Sequence, residues 1–123
     1  MLPRHPFRVS FRVDGNPLPK QSFRARNSRK GYIEPRIQAH QDAVGWAAKE
    51  AMQGNPPYEG EVTVSYVFRR ADRRRADWEN LSKLASDAMN GIVYDDDSKI
   101  TAAHVYVERG CRVPETVVLV EAL

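Results

Sequence analysis

The sequence predicts an α+β domain, a mixed sheet of about four strands with two main helices packed on it. Three observations lead there. Apolar residues alternate with polar ones from Phe7 to Val13 and again from Val62 to Phe68, the pattern of half-buried strands. After each run the apolar spacing switches to the i, i+3, i+4 repeat of a helix, and two further strand-like runs close the chain. With 123 residues there is room for one modest core, so residues 1–123 are expected to form one domain in the order β-α-β-α-β-β. This pattern does not determine the strand order.

The first strand, Phe7 to Val13, is stopped by Asp14-Gly15-Asn16-Pro17. From Arg36 to Gln53 one helical face is drawn by Ile37, His40, Val44, Ala47, Ala48 and Ala51; Pro35 suits its first turn and Gly54 its stop. Trp46 is expected to anchor this helix on the sheet. Asn55-Pro56-Pro57 connects to the second strand, which delivers Arg69, Arg70, Arg73, Arg74 and Arg75 into the centre of the chain. A second helix is marked by Leu81, Leu84, Ala85, Ala88 and Ile92, with Asp77 at the N-cap and Gly91 as the left-handed residue past its end. Strands are expected from Ile100 to Val107 and from Thr116 to Val120, the latter nearly continuous in apolar residues and so suited to burial.

A net charge of +3 and a pI near 9.2 lean towards an anionic partner. Cys111 is the single cysteine, which rules out an internal disulfide framework. Met1 to Ser10 lacks the apolar core of a signal peptide, and no run reaches the length of a membrane span, so a cytoplasmic protein without membrane contact is expected. Between Pro17 and Arg36, Lys20, Arg24, Arg26, Arg29, Lys30 and Arg36 face one acid, Glu34, with Phe23 and Tyr32 interleaved. Such a segment suits phosphate contacts together with stacking on unpaired bases.

The chemistry gathers at Asp77, Glu79, Lys83 and the triplet Asp95-Asp96-Asp97, with Asp87 as a further acid between them. A helix of about 13 residues is roughly 20 Å long, so the acid triplet must double back along it to meet Asp77. If it does, the converging carboxylate oxygens suit a hard divalent cation such as Mg²⁺. Lys83, one turn beyond Glu79, suits the stabilisation of charge on a phosphate. Acids at a helix start also simply complement its dipole.

Arg75-Ala76-Asp77-Trp78-Glu79-Asn80-Leu81-Ser82-Lys83, Asp87-Ala88-Met89-Asn90-Gly91 and Asp96-Asp97-Ser98-Lys99-Ile100 together resemble the RusA family of Holliday-junction resolvases, which reads approximately R-x-D-x-D-N-L-x-K, D-A-L-N-G and D-D-x-Q-I. Pro17-Leu18-Pro19-Lys20 with Arg24 and Arg26 resembles the P-x-P-K-x-R-x-R segment of its phage-type members, and the matches stay in register through Ile100. The resemblance implies a homodimeric crossover junction endodeoxyribonuclease that depends on Mg²⁺, with Mn²⁺ a possible substitute, and makes paired symmetric cuts in four-way DNA. It implies Asp77 and Asp97 as metal-binding aspartates, with Asp96 beside the latter, and Lys83 as the catalytic lysine. Glu79 stands where the family has aspartate, and Lys99 where it has glutamine. Lys20, Arg24, Arg26, Arg29, Lys30, Arg73, Arg74 and Arg75 are the expected DNA contacts. Two other readings remain: a branched-DNA-binding module with weak or lost cleavage, and a less selective nuclease acting on flaps or forks.

Overall fold

A computed structural model describes residues 6–20 and 34–123. Its elements are β1 (Arg8–Asp14), α1 (Pro35–Met52), β2 (Val62–Arg69), α2 (Trp78–Ala88), β3 (Ile100–Glu108) and β4 (Glu115–Ala122). The predicted α+β class and the β-α-β-α-β-β order are what is found, with a mixed four-stranded sheet in the order β1-β4-β2-β3. β4 pairs antiparallel with both β1 and β2, while β2 and β3 run parallel. The most apolar run of the chain is therefore an inner strand. A parallel pair needs a crossover, and α2 supplies it, running from the end of β2 back to the start of β3.

The alternation in the strands decides which face is covered. Val9, Phe11 and Val13 of β1, Val64, Tyr66 and Phe68 of β2, and Val118 and Val120 of β4 bury against Val44, Ala48 and Met52 of α1 and Leu81, Leu84, Ala85 and Ala88 of α2. The two helices meet at Gly45, where an added Cβ would stand in ordinary contact with the Ala88 carbonyl oxygen, at 3.4 Å. On the opposite face Arg12, Glu115, Arg69 and Glu108 form a row of ion pairs across the strands.

Three expectations change in detail. Trp46 does not anchor α1 on the sheet; it is 65% exposed. It lies two residues, about 200° of helix rotation, from the buried Val44, which turns it to the solvent side. α1 ends at Met52, where Gln53 itself takes the left-handed conformation at φ 51. α2 ends at Ala88, so Ile92 packs on the core from the turn after the helix, in which Gly91 has φ +76.

Candidate active site

α2 begins where Asp77 leaves the extended backbone and its carboxylate accepts the Glu79 N–H at 2.9 Å. Glu79, Lys83 and Asp87 follow at four-residue spacing, so they form one stripe along the helix, away from Leu81, Leu84, Ala85 and Ala88. From Glu79 to Asp87 the stripe runs about 12 Å.

The acid triplet is fastened to the far part of this stripe by the residue before it. Tyr94 is fully buried and its hydroxyl donates to the Ser86 carbonyl at 2.8 Å, while the Tyr66 hydroxyl hydrogen-bonds the Ser86 Oγ. Burial pushes the Tyr66 phenol up to about 12, and the charges of Asp97 and Asp87 add to the effect, against the Ser86 bond. Tyr94 is raised further, again chiefly by burial. These hydroxyls therefore act as neutral donors beneath two carboxylates.

Asp97 opens a short 3-10 turn, Asp97–Lys99, capped by the Asp96 carboxylate on the Ser98 N–H at 3.1 Å. Burial, then the charges of Asp96 and Asp87 and a hydrogen bond with Asp87, hold the Asp97 carboxyl above the usual carboxylate range; Lys83 opposes them. Asp96 is lowered by its bonds to Ser98. Asp97 therefore sits with Asp87 and Lys83. Asp87 in turn pairs with the Lys20 ammonium, the two side chains 18% and 34% exposed. The Lys20 backbone N–H donates to the Asn80 carbonyl at 2.9 Å, pinning this segment along α2.

At the other end, Arg73, Arg75, Ala76, Asp77 and Arg109 line an open cleft of about 600 Å³. Arg74 is exposed and does not line it; its backbone N–H donates to Asp72 at 3.0 Å. Arg24, Arg26, Arg29 and Lys30 lie outside the described residues.

The predicted residues are thus divided between two groups, Asp77 with Glu79 at the helix start and Asp96 with Asp97 at the acid loop, and Lys83 stands between them on the helix. Among the described residues no three carboxylates, imidazoles or thiolates are gathered as a ready metal-holding group. The donors are nonetheless hard oxygens, the kind Mg²⁺ takes, and the crowding of Asp87, Asp96 and Asp97 is negative charge that a divalent cation would offset. Two residues of this region stand outside the set that the sequence pattern points to. Asp87 had a signal, since it lies four residues beyond Lys83 on the same stripe. Arg109 had none, because its place depends on the parallel pairing of β2 with β3.

A family model described as endodeoxyribonuclease RusA matches residues 14–121. No curated protein matches the chain. Among the described residues no helix is long and apolar enough to cross a membrane.

Proposed function

The chain belongs to the RusA endodeoxyribonuclease family, and from that premise we propose that it resolves four-way DNA junctions by paired, Mg²⁺-dependent phosphodiester hydrolysis as a homodimer. The observation that carries this reading is the layout of α2. An arginine-lined cleft meets its first residues, and further along its stripe Lys83 and Asp87 meet the acids of the following loop, Asp96 and Asp97. The first suits a polyanion and the second suits cutting it.

Asp77 and Glu79 at the helix start, and Asp97 with Asp96 at the loop, would hold one or two Mg²⁺ or Mn²⁺ ions. A bound ion supplies activation of water and polarisation of the scissile phosphate. The protein's own part is positioning and charge. Lys83, whose ammonium already acts on Asp97, is placed to meet negative charge growing on the phosphate or on the leaving oxygen. Arg73 and Arg75 hold the backbone electrostatically without reading its sequence. The Tyr66–Ser86–Tyr94 hydroxyls keep the acid loop seated on the helix. A four-way junction has approximate two-fold symmetry, and two symmetric incisions call for two symmetric sites, which supports a homodimer.

The experiment is cleavage of an end-labelled four-way junction with and without Mg²⁺, with linear duplex and flap controls. Paired symmetric cuts confined to the junction are expected. Cutting of flaps at equal rates would favour a less selective nuclease, and binding without cutting a junction-binding module.

A further inference from the structure

The parallel pairing of β2 and β3 continues beyond the sheet into the two loops that leave it. The Arg70 N–H donates to the Glu108 carbonyl and the Cys111 N–H to the Arg70 carbonyl, both at 2.8 Å, and the Gly110 N–H donates to the Asp72 carbonyl at 3.0 Å. This backbone zipper carries Arg109, at the end of β3, into the cleft of Arg73 and Arg75. Gly110 is part of the fit. An added Cβ there would meet the Arg73 guanidinium at 3.2–3.3 Å, so the arginine lies flat against the glycine.

The charge in this cleft is unbalanced. Arg12, Arg36, Arg69 and Arg70 each have a carboxylate partner, whereas among the described residues Arg73, Arg75 and Arg109 have none. The one acid of the lining, Asp77, already accepts the Glu79 N–H. Arg70 lies in the same zipper at 7% exposure; its Nη2 pairs with Asp72 at 3.4 Å, and among the described residues its Nε and Nη1 have no hydrogen-bond partner. Guanidinium groups held on a hydrogen-bonded backbone and lacking counter-ions suit an oxyanion that accepts paired N–H bonds.

We propose that Arg109 joins Arg73 and Arg75 in a cradle for a backbone phosphate of the DNA, next to the start of α2. This rests on the nuclease reading and adds a contact from a separate part of the chain. The cradle fixes where the strand enters relative to Asp77 and Glu79, and it carries no base information.

The test is anisotropy of a labelled four-way junction in EDTA, titrated at several salt concentrations with the full-length wild type, Arg109→Ala and Arg109→Lys. Arg109→Ala is expected to bind more weakly and to lower the slope of log K against log salt by about 0.9, one phosphate contact. Arg109→Lys should recover the slope with part of the affinity. Arg75→Ala, also in the lining of the cleft, should lower the slope likewise, and thermal melts check that each variant is folded. Wild-type affinity and slope in folded Arg109→Ala would overturn the proposal. So would stabilisation of the wild type by inorganic phosphate, lost in Arg109→Ala, with an unchanged junction slope: the cleft would then take free phosphate and not DNA. A wild type that binds no branched DNA would instead sink the nuclease reading itself.

Discussion

At its first turn α2 faces three arginines that have no ion-pair partner among the described residues, whereas along its later turns it presents Asp87 paired with Lys20, beside Asp97 and a buried hydroxyl network. The first region is open and exposed, and its charge is available to a ligand. The second is partly buried, and its charges act on one another: Asp97 is raised by burial and by two neighbouring acids, and Lys83 and Lys20 offset the excess. Holding a polyanion needs unspent positive charge, whereas poising a carboxylate needs a fixed, crowded surrounding. On the proposed reading one helix would serve both, because its stripe passes from one region to the other, with Lys83 between.

The comparison is broken most severely at Asp97. Asp97→Asn keeps the side-chain shape and removes the charge. Junction cleavage should fall by more than ~100-fold, since even residues that only support a metal's ligands are worth ~10–100-fold. Gel-shift affinity for the junction should stay the same or tighten. Lys83→Ala should also slow cleavage, by ~10²–10³-fold in a single-turnover assay. Calorimetric titration with Mn²⁺ should show cation binding retained, because lysine is not a ligand.

Lys20 sharpens the comparison, because its sequence suggests a DNA contact while the fold places it on Asp87. Lys20→Met should cost ~10–100-fold in cleavage by releasing Asp87 beside Asp97. The salt slope of junction binding should hardly move, in contrast to the arginines of the cleft. A slope lowered by a full contact would return Lys20 to the DNA-binding set. The smallest effect belongs beneath the acids. Tyr94→Phe removes one buried hydrogen bond and should lower stability by about 1 kcal/mol, read as a shifted urea midpoint at unchanged m-value.

Much of this was legible in the sequence because local periodicity carries it. The strands of Val9, Phe11 and Val13 and of Val62 to Phe68, the N-cap at Asp77 and the Glu79–Lys83 spacing each depend on neighbours a few residues away. Trp46 misled because an aromatic residue suggests burial, although its helical angle turns it to solvent. Strand order was not legible, and neither were the contacts that depend on it. Arg109 reaches Arg73 only through the β2–β3 pairing, and the acid loop is seated where Tyr94 finds Ser86. Both join segments that sequence spacing leaves independent.

The central claim, that the two ends of α2 act on one phosphodiester, is tested most directly at Glu79, the carboxylate of the helix start that differs from the family pattern. Junction cleavage by Glu79→Gln should be nearly as weak as that of Asp97→Asn, with junction binding intact, while Glu79→Asp should cut as well as the wild type or better. Cleavage by Glu79→Gln at the wild-type rate would contradict the account, because the acid loop would then be working without the helix start.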